Sequence, residues 1–192
     1  MQEAQQALLP YIAEQDRVLL IGGGSGWLLE QILLHHPKLK LLYLEASPKM
    51  LQMAQNRYRR LQVSGHQVEF RLGTEALLHE TDVFDVIFTP FLLDLFLPHR
   101  LHLLMNRLAN SLAPEGLWLF SDFWPVATPP LWWQQLLLKS MYTFFGMVSQ
   151  VRARSLPDFK SHFEQLQLEE VYSSSYAKGM VQSKVFQRKS NQ

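Results

Sequence analysis

Val18-Leu19-Leu20-Ile21-Gly22-Gly23-Gly24-Ser25-Gly26-Trp27 is the stretch that sets the fold of this chain. Its four leading apolar residues predict a buried strand, the glycine run a tight turn, and Leu28 to Leu34 a helix. Such a strand–turn–helix unit brings a nucleotide-like ligand against bare backbone and a helix N-terminus. Glycines are needed there because a Cβ blocks the ligand and because the turn takes unusual φ/ψ. Gly22, Gly24 and Gly26 give G-x-G-x-G. A dinucleotide fingerprint wants its third glycine one place later, for close packing of helix on strand, and that place holds Trp27. A pyrophosphate site is disfavoured, whereas nucleoside-binding geometry survives.

Outward from this stretch, the chain has 192 residues, 47% of them hydrophobic and 18% charged, which predicts one globular domain over 1–192. A net charge of +1 gives no reason to expect a nucleic-acid-coating surface. Arg57, Arg59 and Arg60 read as a solvated helix face. The absence of cysteine excludes disulfides, thiolate catalysis and cysteine-ligated metal. Met1 to Gln15 has no basic start and no long apolar run, so no signal peptide is expected. Leu131 to Val148 is apolar but broken by Gln134, Gln135, Lys139 and Ser140, a poor membrane span. The expectation is a cytoplasmic protein.

Ala4 to Ile12 has helical spacing ahead of the first strand, Val18 to Ile21. A helix from Gly26 to His36 ends at Pro37, and Leu41 to Glu45 forms a second strand. Ser47-Pro48 is an N-cap with proline at the first helical position, opening a helix to Leu61. Gln67 to Arg71 alternates as a third strand, and Phe84 to Phe88 is a buried fourth, followed by the loop Thr89-Pro90-Phe91. Leu97 to Leu112 is helical, Ala113-Pro114-Glu115-Gly116 a turn, and Leu117 to Ser121 a fifth strand. After Pro125, Pro129 and Pro130 come an aromatic helix, Leu131 to Val148, and a short helix opened by Leu156-Pro157-Asp158. Two extended runs, Glu169 to Tyr176 and Met180 to Gln187, meet at Ala177-Lys178-Gly179 as a hairpin. Strands alternating with helices predict a doubly wound parallel sheet, with an antiparallel strand added at one edge by the hairpin.

Glu45 ends the second strand about 20 residues beyond the glycine turn, where a carboxylate accepts hydrogen bonds from both hydroxyls of a ribose. The simpler reading is a capping or surface acid. With Glu45 in place, the chain resembles a class I S-adenosylmethionine-dependent methyltransferase of the small-molecule, quinone-methyltransferase-like type. Val18 to Gly26 matches the glycine-rich first motif, and Leu42 to Glu45 with Ala46-Ser47-Pro48-Lys49-Met50 the second. Phe84-Asp85-Val86-Ile87 matches the fourth motif, and Leu112-Ala113-Pro114-Glu115-Gly116 the turn before the fifth strand. The resemblance covers nearly the whole length and implies a seven-stranded, mostly parallel, Rossmann-like sheet with a C-terminal antiparallel hairpin.

It also implies roles for single residues. Gly22, Gly24 and Gly26 line the methionine and ribose part of S-adenosylmethionine, Glu45 holds the ribose hydroxyls, and Ala46 and Met50 pack on the adenine. Gly73, Thr74 and Glu75 follow the third strand, with Thr74 where the family commonly has the aspartate that reads the adenine amino group; Glu75 or the Thr74 hydroxyl are the candidate substitutes. Thr89 and Pro90 face the methyl group. Asp85, at the other end of that strand, is a structural cap. Relatives close the site with a longer segment before the first strand; about one helix precedes it here, so the lid comes from elsewhere or the chain begins late.

Methyl transfer from a sulfonium needs a base only when the acceptor loses a proton. Asp94, within Phe91-Leu92-Leu93-Asp94-Leu95-Phe96, is the catalytic candidate, and its plainer role is N-cap of the next helix. His99 and His102 suit a helix surface and lack a third metal ligand. Trp132, Trp133, Met141, Tyr142, Phe144 and Phe145 are either core or the wall of a pocket for a small apolar or aromatic acceptor. Arg152 and Arg154 are solvated or hold an anionic end. Rival functions are a cofactor-binding module without catalysis, an aminopropyltransferase, whose acidic gate after the fourth strand is replaced by Phe88-Thr89-Pro90-Phe91, and a nicotinamide oxidoreductase, opposed by Trp27.

Overall fold

A computed structural model describes residues 1–61, 65, 67–124 and 156–188. The aromatic helix expected at Leu131 to Val148, with Arg152, Arg154 and the prolines before it, lies outside the described residues. A short helix α1 (Gln2–Gln6) and a 3₁₀ turn (Leu9–Tyr11) precede β1 (Arg17–Ile21). Then follow α2 (Trp27–His35), β2 (Lys40–Glu45), α3 (Pro48–Arg60), β3 (Gln67–Leu72), β4 (Phe84–Pro90), α4 (Pro98–Asn110), β5 (Leu112–Phe123), α5 (Phe159–Gln165), β6 (Leu168–Tyr176) and β7 (Val181–Arg188).

The strands form one seven-stranded sheet in the order β3-β2-β1-β4-β5-β7-β6. The first five pair in parallel, and β7 runs antiparallel to both β5 and β6. The expected doubly wound architecture is therefore present, with one correction. The antiparallel strand β7 lies inside the sheet, and β6 forms the edge. A hairpin whose second strand docks on β5 leaves its first strand outermost. Both faces of β1 are apolar, as a parallel strand covered on two sides requires. Leu19 and Ile21 join the core under α4 and α5; Val18 and Leu20 join the core under α2 and α3.

Three further boundaries differ from expectation. The first helix ends at Gln6 and gives way to a 3₁₀ turn containing Pro10, which has no N–H to return to the Gln6 carbonyl in an α-helix. β4 extends through Thr89 and Pro90, which pair with Phe120 and Ser121. Proline is tolerated there because β1 pairs only as far as Phe88. The Ala113–Gly116 turn sits inside the β5 span, where the register jumps from Phe84↔Leu112 to Val86↔Leu117. Between β3 and β4 the described residues hold only a 3₁₀ turn, Glu75–Leu77. A groove of about 470 Å³, lined by Arg17, Leu42 and Glu69 among others, opens at the amino ends of β1–β3. That is the end opposite the glycine turn and away from where open α/β sheets bind ligands. Among the described residues, no helix is long and apolar enough to cross a membrane.

Candidate functional site

At the carboxyl ends of β1, β2 and β3 the backbone is stitched together. The Gly22 N–H donates to the Leu44 carbonyl at 2.9 Å, and the Gly73 N–H to the Glu45 carbonyl at 2.9 Å. Gly22, Gly24 and Gly26 all have positive φ, at 72°, 62° and 85°. Only at Gly24 does the space beyond the Cα stand open, with nothing within 4 Å of the position a Cβ takes. This is a cradle that a side chain would fill. Glu45 stands beside it, 8% exposed. Its Oε2 accepts from the Gly24 N–H at 3.0 Å and its Oε1 from the Ser47 N–H at 2.9 Å. Each oxygen keeps a second lone pair, so the carboxylate is pre-aimed for two hydroxyl donors. Ala46 is exposed and Met50 half-buried on the same lip, where Ser47 caps α3 by accepting from the Met50 N–H.

The remaining expected residues divide. Gly26 packs rather than lines the cradle: a Cβ there meets the Ala54 Cα at 2.7 Å, so this glycine lets α2 and α3 approach. The close-packing role thus falls one place earlier than the dinucleotide fingerprint puts it, and Trp27 opens the helix without harm. Thr74 is exposed and caps the 3₁₀ turn that follows it. Glu75 is 4% exposed and paired with the Arg100 guanidinium, so its charge is already engaged. Thr89, expected to face the methyl group, has its hydroxyl engaged inside the sheet's core layer. It is fully buried, with its hydroxyl accepting from the Trp118 indole N–H at 3.0 Å, and Pro90 is buried beside it. Strand continuation explains this, because residues of a paired strand point into the core layers and not off its end. Asp85 anchors structure, accepting from the Arg17 N–H at 2.8 Å. His99 and His102 are exposed on α4.

Asp94 sits in a 3₁₀ turn, Leu93–Leu95, and does not cap α4, whose N-cap is Leu97. It is 1% exposed, and neither carboxylate oxygen has a donor among the described residues. Burial raises its pKa to about 6. The turn is held by Asp122, at the carboxyl end of β5, whose Oδ2 accepts from the N–H groups of Leu93 at 2.8 Å and Asp94 at 3.2 Å. Burial, then the Asp94 charge, push the Asp122 carboxyl well above the usual range. Two residues before Asp94, Leu92 lies over the glycine turn, 2.9 Å from where a Gly22 Cβ would stand.

Three contributors escaped the sequence reading. Tyr43, beneath the turn, donates to the Gly24 carbonyl at 2.7 Å, its phenol pushed up by burial and by Glu45. Leu92 and Asp122 are the others. Only Asp122 carried a signal: like Glu45, it is an acid at the end of an apolar strand.

A family model described as a methyltransferase domain matches residues 18–116. No curated protein sequence matches the chain. Solved structures agree in fold. The YcgJ protein of Bacillus subtilis superposes with a TM-score of 0.67 at 14% identity, covering 99% of this chain and 100% of that one. An S-adenosylmethionine-dependent methyltransferase of Methanosarcina mazei gives 0.67 at 15%, covering 95% and 96%. The N-methyltransferase NodS of Bradyrhizobium japonicum, solved with S-adenosyl-L-homocysteine, gives 0.67 at 15%, covering 98% and 86%. The matched segment runs from the glycine turn through Glu45 to the turn within β5, and the open cradle at Gly24 beside Glu45 fits a nucleoside cofactor. The chain therefore belongs to the methyltransferase-domain family and is an S-adenosylmethionine-dependent methyltransferase.

Proposed function

We propose that this enzyme methylates a small, apolar or aromatic acceptor by in-line displacement. The observation that carries the acceptor half is aromatic crowding beyond the cradle. Phe91, at φ 48° just past β4, packs edge-on against Phe123 with ring centroids 5.6 Å apart, and Trp124 leans on Phe159 at 5.8 Å. Open α/β sheets hold ligands over the carboxyl ends of their strands, and cofactor contacts take the first three. The ends of β4 and β5 are left for the acceptor.

S-adenosylmethionine supplies a methyl group on a positive sulfur that is already a good leaving group. The chain supplies position and dryness. Gly22 and Gly24 leave backbone room for the cofactor, Glu45 takes the ribose hydroxyls, Ala46 and Met50 face the adenine, and Gly73 with Thr74 borders it. Leu92 screens the cradle from the acceptor side. Asp94 takes a proton from the acceptor, a role supported by its burial just past the carboxyl end of β4.

The test is formation of S-adenosylhomocysteine with a panel of small phenols, aromatic amines and aromatic acids, beside RNA and protein acceptors. Turnover is expected with a small aromatic compound, with inversion of a chiral methyl group. Turnover with the macromolecules alone, or retention at the methyl carbon, refutes the reading.

A further inference from the structure

Asp94 and Asp122 are two carboxyl groups in one dry layer. Asp122 is wholly buried, and three backbone N–H groups already engage it: those of Leu93 and Asp94 on Oδ2, and its own neighbour Phe123 at 2.8 Å on Oδ1. Asp94 has none on its side chain among the described residues. Two adjacent ionised carboxylates offer each other no donor and repel, so a proton between them is what lets both stay buried. That proton satisfies one Asp94 oxygen and leaves the other open.

A second orphan lies alongside. Gln182 of β7 stands directly opposite Asp122 in the β5–β7 register, so their side chains share a face, and its buried Oε1 also lacks a donor among the described residues. Buried oxygens without donors are costly unless a ligand brings the donor. Among the described residues the neighbouring cations are already taken. Lys184, on the same face of β7, donates to Glu170 at 2.6 Å and Ser173 at 2.9 Å, and Arg100 of α4 is held by Glu75. Among the described residues the unpartnered atoms of this cluster, both Asp94 oxygens and the Gln182 Oε1, are acceptors, and they lie next to Leu92 and so next to the cofactor cradle.

We propose that Asp94 and Asp122 form a one-proton carboxyl pair that receives the proton of the methyl acceptor, Asp94 as the catalytic residue and Asp122 as its positioning residue, and that the acceptor is an amine or hydroxyl compound presenting N–H or O–H at the atom methylated. This rests on the acceptor side assigned above. In the step, the acceptor's lone pair forms the new bond to the methyl carbon. The sulfur–methyl bond breaks with its electron pair going to sulfur. The N–H or O–H proton passes to the free Asp94 oxygen. The pair goes from one negative charge to none, and the sulfonium charge is discharged in the same event.

The experiment is carbon NMR on protein carrying carboxyl-labelled aspartate, titrated across the neutral range with S-adenosylhomocysteine present. Anilines and phenols are then added, each against its fully N- or O-methylated counterpart. The expected result is one proton retained by the pair at neutral pH, and an Asp94 resonance that moves with the protic probes and not with the methylated ones. Asp122→Asn keeps a carbonyl oxygen for the N–H groups of the turn. It should leave S-adenosylhomocysteine affinity within about twofold, yet move the Asp94 titration and the acidic limb of the pH–rate profile. Asp94→Asn serves if Asp122→Asn fails to fold: the Asp122 resonance should then titrate without its partner's charge and should not move when protic probes are added. Two carboxyls both ionised at neutral pH overturn the pair, and so does an Asp94 signal indifferent to every protic probe. Failure to bind S-adenosylhomocysteine is a separate result: it sinks the cofactor site, while the carboxyl titration still judges the pair.

Discussion

Two glycines two positions apart, Gly24 and Gly26, should fail in opposite ways when each becomes alanine. At Gly26 the new Cβ stands 2.7 Å from the Ala54 Cα and 2.8 Å from its Cβ, and backbone cannot swing aside. Overpacking of this kind costs about 1–3 kcal/mol, and a left-handed residue other than glycine adds about 1–2 kcal/mol. The sum is about 2–5 kcal/mol. For a domain of this size that lowers Tm by roughly 4–20 °C. At Gly24 the φ of 62° costs the same conformational increment, but the Cβ meets nothing. Its methyl group projects into the cradle instead. Gly24→Ala should therefore lose at least about tenfold in affinity for S-adenosylhomocysteine, worth about 1.4 kcal/mol, with a Tm drop no larger than the strain alone produces. Gly26→Ala should bind nearly normally once folded. Calorimetric titration and thermal unfolding on both variants decide it. Unchanged Tm with lost binding in Gly26→Ala, or normal binding in Gly24→Ala, would refute the division between packing glycine and cofactor glycine.

Glu45→Ala removes the acceptor for the Gly24 and Ser47 N–H groups as well as the ribose contacts, and should weaken cofactor binding by about 1.5–3 kcal/mol in a titration. Glu45→Gln should do no better, because its amide must turn an N–H toward one of those two N–H donors. Tyr43→Phe deletes the bond to the Gly24 carbonyl and should cost about 1 kcal/mol in denaturant unfolding without abolishing binding. Asp94→Asn should lower turnover about 10²-fold or more at unchanged cofactor affinity; full activity reduces Asp94 to a structural residue. Stability should also report Asp94 directly. Its carboxyl titrates higher in the folded chain than the ordinary 3.8, at about 6, so the folded state holds the extra proton. Stability is then greatest below the lower value and declines as pH rises through the higher one, by about 3 kcal/mol at about 1.4 kcal/mol per pH unit. Asp94→Asn should flatten that part of a Tm–pH curve.

The alternation of β-rich and helix-rich segments was legible in the chain because it is local. Apolar runs at Val18 to Ile21 and Phe84 to Phe88, a Ser47-Pro48 helix start and a glycine turn each act within a few residues. Glu45 was legible too, because its distance from the turn is fixed by one strand–helix–strand unit. What the chain could not say alone is which way side chains turn once strands pair. Thr89 spends its hydroxyl on Trp118, and β7 inserts between β5 and β6. Gly26 serves Ala54, and Asp94 is answered by Asp122, 28 residues further on. Each of these depends on a partner brought near only by sheet order and helix docking. Sequence spacing fixes direction and distance within one unit; contacts between units belong to the tertiary structure, because they are set by the packing of layers that no local pattern records.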